Sequence, residues 1–167
     1  MKQTNKRRNL YLGKEVFVGI DVHKKTYTVV ARVEREVVKR WTTAASPHSL
    51  AEQLRKYFEG ATIQTVYETG FSGFVLHRAL VKGGINNIVV HAAGIEVAVN
   101  NRVKTDKRDA QKLAELLEAG RLKGIGIPSE VVEQRRILTR TREQLVGDRT
   151  RVKNRIRMKC HQMGLIN

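Results

Sequence analysis

The chain contains four aspartates, Asp21, Asp106, Asp109 and Asp148, and three of them stand where a carboxylate could do chemistry. Asp21 closes the apolar run Glu15 to Asp21 (EVFVGID) and is flanked by Phe17, Val18, Gly19, Ile20 and Val22. An ionised group among such neighbours is unfavourable unless something positive or hydrogen-bonding meets it. Glu68 follows a second apolar run, Ile63 to Tyr67, and precedes Thr69-Gly70, so it falls at the carboxyl edge of a strand. Asp106 and Asp109 lie three apart, which puts both on one face at the start of a helix. Three elements could therefore deliver four carboxylates to one place. An all-oxygen donor set of this kind suits a hard divalent cation, Mg2+ or Mn2+. Two such ions about 3.5–4 Å apart polarise a phosphodiester and stabilise its attacking and leaving oxygens.

Taken singly, each carboxylate also has a plainer reading. Asp106 and Asp109, behind Thr105, could form an N-terminal cap. Glu68 could be a turn residue, and Asp21 could pair with Lys24 or Lys25. His23 and His91 read as structural, because no second His or Cys sits at ligand spacing. Gly83-Gly84 reads as a helix stop, since no Gly-rich run followed by Lys-Ser/Thr is present.

The elements that must position these groups follow from short-range patterning. Glu15–Asp21, Thr26–Val33 and Val37–Thr43 are β-branched-rich and separated by short polar breaks, which predicts a three-stranded meander. Ser46-Pro47 opens a helix running to about Glu59, with Gly60 as its stop. Ile63–Tyr67 predicts a fourth strand, Phe71–Lys82 a helix, Asn87–His91 a fifth strand, and Asp106–Ala119 a helix closed by Gly120. The order β-β-β-α-β-α-β-α implies a mixed sheet flanked by helices. Residues 1–13 read as a basic flexible arm, 14–124 as the α/β domain that bears the four carboxylates and 125–167 as a linker and long basic helix. Between residues 134 and 160, ten basic residues (Arg135, Arg136, Arg140, Arg142, Arg149, Arg151, Lys153, Arg155, Arg157 and Lys159) face two acids, Glu143 and Asp148. Leu138, Leu145, Val152, Ile156 and Met163 recur at steps of 7, 7, 4 and 7, a narrow stripe suited to a coiled-coil seam. A helix from Glu130 to Met163 would be on the order of 50 Å long.

Composition sets the partner. Thirty-two Lys or Arg against 16 Asp or Glu give a net charge of +16, which makes a polyanion, above all nucleic acid, the expected ligand. In such a chain an acidic cluster would repel DNA unless cations occupy it. Aromatic residues amount to only 5%, which argues against a single-strand binder built on stacking. The apolar runs are too short to cross a membrane and no apolar leader follows the basic start, so a cytoplasmic protein is expected. A single cysteine, Cys160, excludes an intramolecular disulfide framework.

Three stretches, Val18-Gly-Ile-Asp-Val-His-Lys-Lys25, Val66-Tyr-Glu-Thr-Gly70 and above all Arg102-Val-Lys-Thr-Asp-Lys-Arg-Asp-Ala110 followed by Lys112-Leu-Ala-Glu-Leu-Leu117, resemble the DEDD-type insertion-sequence transposases. This recombinase family is related to the Piv pilin-gene invertase, and some members are guided by a bridge RNA. The resemblance runs from about Phe17 to the last residue. It implies a ribonuclease H/RuvC-like fold for the first domain and an acidic tetrad of Asp21, Glu68, Asp106 and Asp109 holding Mg2+ or Mn2+. It further implies a basic coiled coil over Glu130–Asn167 that joins copies into a dimer or tetramer, with DNA and, as in the guided members, a guide (bridge) RNA as expected partners. Arg102, Lys104, Lys107 and Arg108, with Arg135, Arg136, Arg140, Arg142, Arg149, Arg151, Lys153 and Arg155, are the expected nucleic-acid contacts. The family's nucleophilic serine lies in a domain beyond the coiled coil. Ser46, Ser49, Ser72 and Ser129 all precede that helix, so complete strand exchange is not expected of this stretch alone. Two alternatives stay open: a non-catalytic nucleic-acid-binding and oligomerising module, and a nuclease resembling Holliday-junction resolvases.

Overall fold

The computed structural model describes residues 10–91 and 106–166. It forms two compact units, Met1–Gly126 and Ile127–Asn167. In the first, five strands, β1 (Glu15–Val22), β2 (Thr26–Val33), β3 (Glu36–Ala44), β4 (Thr62–Glu68) and β5 (Asn86–Val90), alternate with α1 (Pro47–Tyr57), α2 (Val75–Lys82) and α3 (Asp106–Glu118). The sheet order is β3-β2-β1-β4-β5. β2 pairs antiparallel with both β1 and β3, whereas β4 pairs parallel with β1 and with β5. This is the mixed sheet flanked by helices that the sequence predicts.

β1 and β2 are central and buried on both faces, which explains their near-continuous apolar runs. Period-two alternation sends Phe17, Gly19 and Asp21 to one face and Val16, Val18 and Ile20 to the other. On the first face α3 lays Leu113 and Leu117 on Val66 and Val90, with Phe17, Ile88 and Leu122 packed around them. The opposite face belongs to α1 and α2. Gln53 of α1 bonds Trp41 and Thr43 of β3 at 3.0 and 2.9 Å, and Leu50, Leu54, Leu76 and Leu80 are fully buried. In the same layer His77 of α2 accepts from Asn87 at 2.8 Å, and Thr65 donates to that amide's oxygen at 2.7 Å.

Two local features depart from expectation. α2 begins at Val75 rather than Phe71: residues 71–74 form a turn, Gly73 lies at φ +57°, and its carbonyl accepts from the Tyr67 hydroxyl at 3.2 Å. The apolar periodicity of that segment therefore runs one turn ahead of the helix. The β2–β3 hairpin places Glu34 and Arg35 at φ +53° and +69°. Two-residue hairpins favour this left-handed backbone, but side chains other than Gly and Asn pay about 1 kcal/mol each to adopt it. Contacts offset the cost, as the Arg35 amide donates to Glu118 and its carbonyl accepts from Arg32.

At the far margin the chain leaving α3 returns along β5. Ile125 donates its amide to the Val89 carbonyl at 2.8 Å, and Gly124 lies against Ile88.

The second unit is dominated by α4 (Glu130–Gln162), a helix of 33 residues and hence about 50 Å long. Ser129 caps it, its hydroxyl accepting from Val132 at 3.4 Å, and Glu130 and Glu133 in the first turn complement the helix dipole. No residue of α4 is buried; Leu138 is 70% exposed, Leu145 63% and Ile156 59%.

Candidate functional site

The parallel pairing of β1 and β4 matches Ile20 with Tyr67, so Asp21 and Glu68 are the next positions along adjacent strands. Neighbouring strands run about 4.8 Å apart. Both residues lie on the face covered by α3, because Asp21 alternates with Gly19 and Glu68 with Val66. Asp21 is 22% exposed, and one of its oxygens lies 2.9 Å from Nε2 of His23. Glu68 is exposed, and the chain beyond it is held by the Thr69 amide on the Val90 carbonyl at 2.8 Å.

Gly19 decides where α3 sits. A Cβ at this position would stand 1.9 Å from the Ala110 carbonyl oxygen and 2.7 Å from the Ala114 amide. Only glycine permits so close an approach of helix to strand, and Ala110 and Ala114, four apart, present the small surface that fits it. The helix direction is set by three polar contacts. Gln111 accepts from Arg40 at 2.7 Å, Arg40 being paired with Val30 and so level with Gly19. Glu115 and Glu118 accept from Arg32 at 3.1 and 2.8 Å, level with Phe17. From Gln111 to Glu118 the helix therefore runs from Gly19 back toward the start of β1. Its first turn, which carries Asp106 and Asp109, points the other way, to the end of β1 where Asp21 stands.

The four sequence-predicted carboxylates thus belong to three elements that converge on one face of the sheet at one end. Their chemistry is that of a hard-cation donor set. Among the described residues no three acidic, His or Cys side chains come close enough together to hold an ion. Asp109 is half-buried and Arg108 beside it exposed. Lys107 falls in the first turn of α3, while Arg102 and Lys104 lie outside the described residues. Arg135, Arg136, Arg140, Arg142, Arg149, Arg151, Lys153 and Arg155 all project from α4 into solvent, Arg151 being paired with Asp148.

Three residues of this arrangement escape sequence reasoning. His23 meets Asp21, in place of the Lys24 or Lys25 that the sequence offers it. Arg32 anchors α3 across more than eighty residues of sequence. Gly19 reads as one more small residue in an apolar run until a helix is laid over it.

A family model of IS110-type DEDD elements, described as transposase, matches residues 18–163, and the chain belongs to this transposase family. It is 32% identical over 148 residues to the transposase for insertion sequence element IS1533 of Leptospira borgpetersenii, covering 86% of this chain and 42% of that protein. It is 37% identical over 139 residues to y4qE of Sinorhizobium fredii, which carries a transposase name, covering 80% of this chain and 35% of that one. The chain thus spans less than half the length of these relatives. Among solved structures it is similar to Thermus thermophilus RuvC, at 9% identity and a TM-score of 0.46, over 66% of this chain and 99% of that one. No helix among the described residues is long and apolar enough to cross a membrane.

Proposed function

We propose that residues 14–124 form the metal-dependent catalytic domain of an insertion-sequence transposase acting on DNA phosphodiesters, with 125–167 as its linker and oligomerising basic helix. The observation that carries this reading is positional. Asp21 and Glu68 end adjacent parallel strands on the face where Gly19 seats α3, whose first turn bears Asp106 and Asp109.

In this reading Asp21, Glu68, Asp106 and Asp109 hold Mg2+ or Mn2+, which when bound supplies Lewis-acid polarisation of the phosphodiester. The chain's own residues bind and orient. The positive end of the α3 dipole favours anions at this edge. Lys107 and Arg108, with Arg102 and Lys104, neutralise the phosphates flanking the carboxylates. His23 holds the Asp21 carboxylate in place through its 2.9 Å contact. The arginines of α4 extend the phosphate contact to DNA or to a guide RNA, and α4 joins copies into a dimer or tetramer. Strand exchange through a serine, which the family resemblance places in a following domain, is assigned to the whole protein rather than to this stretch.

Titration calorimetry with Mg2+ and with Mn2+ tests the reading. Asp21→Asn and Asp109→Asn are expected to abolish binding while thermal unfolding stays cooperative; equal affinity in wild type and variants would refute it. A second reading, a non-catalytic nucleic-acid-binding module, draws on the open spacing of the described carboxylates. It predicts that DNA affinity falls with salt as charge alone dictates and does not respond to divalent metal.

A further inference from the structure

Resting on the reading that α4 joins copies of this chain, we infer that two α4 helices pair antiparallel, with Arg142 of each packed against Leu145 of the other. The step of four between Val152 and Ile156 sets the heptad phase. Val131, Leu138, Leu145 and Val152 then occupy one seam position, and Arg135, Arg142, Arg149, Ile156 and Met163 the other. The apolar members are exposed along the whole helix, with Val131 at 56% and Val152 at 49%. The seam is thus apolar at one position and basic at the other through its first three heptads.

That alternation discriminates between orientations. In a parallel pair each layer contains the same residue from both helices, so Arg135, Arg142, Arg149 and Lys159 each meet their own copy. In an antiparallel pair, residues of the two seam positions face each other. Setting Arg142 against Leu145 then places Arg149 against Leu138, Arg135 against Val152 and Val131 against Ile156. Every arginine packs its aliphatic stem on an apolar side chain and carries its guanidinium to the solvent edge. Lys159 falls beyond the overlap. Sliding the helices one heptad to lengthen the contact brings Arg135 onto Lys159, so this is the longest register without a like-charge layer. The pairing is isologous and closes on itself, as a two-fold dimer requires. The guanidinium groups it expels line both borders of the seam and leave the dimer's basic surface available to phosphates.

The test uses the full 167-residue chain with Cys160→Ser, into which Leu138→Cys or Arg149→Cys is placed singly. Samples are treated with a short bifunctional maleimide after light scattering has fixed their size. In the antiparallel pair the two copies of residue 138 lie eleven residues apart along the axis, roughly 16 Å, and so do the two copies of residue 149. Neither variant alone should cross-link, whereas an equimolar mixture of the two should, at least tenfold more than either alone. Cross-linking of Leu138→Cys by itself would overturn the orientation while leaving the assembly intact. A dimer that cross-links in neither the single nor the mixed sample would place the interface elsewhere and overturn the inference. A monomer at every concentration would overturn the assembly reading and the orientation with it, as would capture of α4 by a different, acidic helix.

Discussion

α3 and α4 are both rich in charged residues, yet they relate to their surroundings in opposite ways. α3 buries Ala110, Leu113, Ala114, Leu116 and Leu117 against the sheet, while α4 buries nothing. The apolar residues of α3 recur at three- and four-residue steps and make a face broad enough to lie on a sheet; those of α4 form a narrow stripe of the coiled-coil kind. α3 is also addressed by partners distant in sequence, Gly19 below it and Arg32 beside it. The contrast teaches that a helix laid on a sheet is given a unique seat by contacts distant in sequence, whereas a helix with a heptad stripe offers the same surface over and over along its length.

The contrast is most easily broken at Gly19. Gly19→Ala forces a methyl group into the Ala110 carbonyl and is expected to cost about 3 kcal/mol, read as a lowered urea midpoint of the first unit, with the helical signal of α4 retained. Arg32→Met removes the two ion pairs to Glu115 and Glu118. Because the Arg32 and Glu118 side chains are each only 12% exposed, a loss of about 2 kcal/mol is expected in the same measurement. The hairpin offers a gain instead: Glu34→Asn with Arg35→Gly relieves two left-handed residues and should add about 1 kcal/mol, forfeiting only an exposed ion pair between Glu34 and Lys14. Leu138→Ser on α4 should leave the first unit's stability within about 0.5 kcal/mol of wild type, while shifting the chain toward monomer in light scattering.

The smallest effect is one of pH. Burial, and secondarily the neighbouring Arg78, holds the His77 imidazole below its ordinary value of 6.5. The native state thus binds fewer protons than the unfolded chain below that pH. Stability from this site is complete above pH 6.5 and is lost as pH falls through the depressed native value. Urea midpoints between pH 7.5 and 5 should show a slight decline that His77→Gln flattens.

Much of this was legible in the residues themselves. β-branched runs, Pro47 and the glycines at 60, 83 and 120 mark the elements to within a few positions, because those signals are local. The start of α2 was not legible. Phe71 and Phe74 continue the apolar pattern into a turn whose geometry depends on Gly73 and on the Tyr67 hydroxyl. The family motifs name the four carboxylates, but the means that direct α3 toward Asp21 are contacts between residues more than seventy apart. Nothing in a local window signals that Gly19 must lack a side chain or that Arg32 has two acceptors waiting.

The return of the chain along β5 has a consequence for solubility. With Ile125 bonded to Val89, the β5 margin of the sheet is partly covered against a foreign strand, and among the described residues β3 is the open border. That border carries Glu36, Lys39 and Arg40, charges that discourage edge-to-edge stacking. Among the described residues the sheet thus keeps one open border, and its charges guard that one against strand-to-strand association when the local concentration of the chain is high.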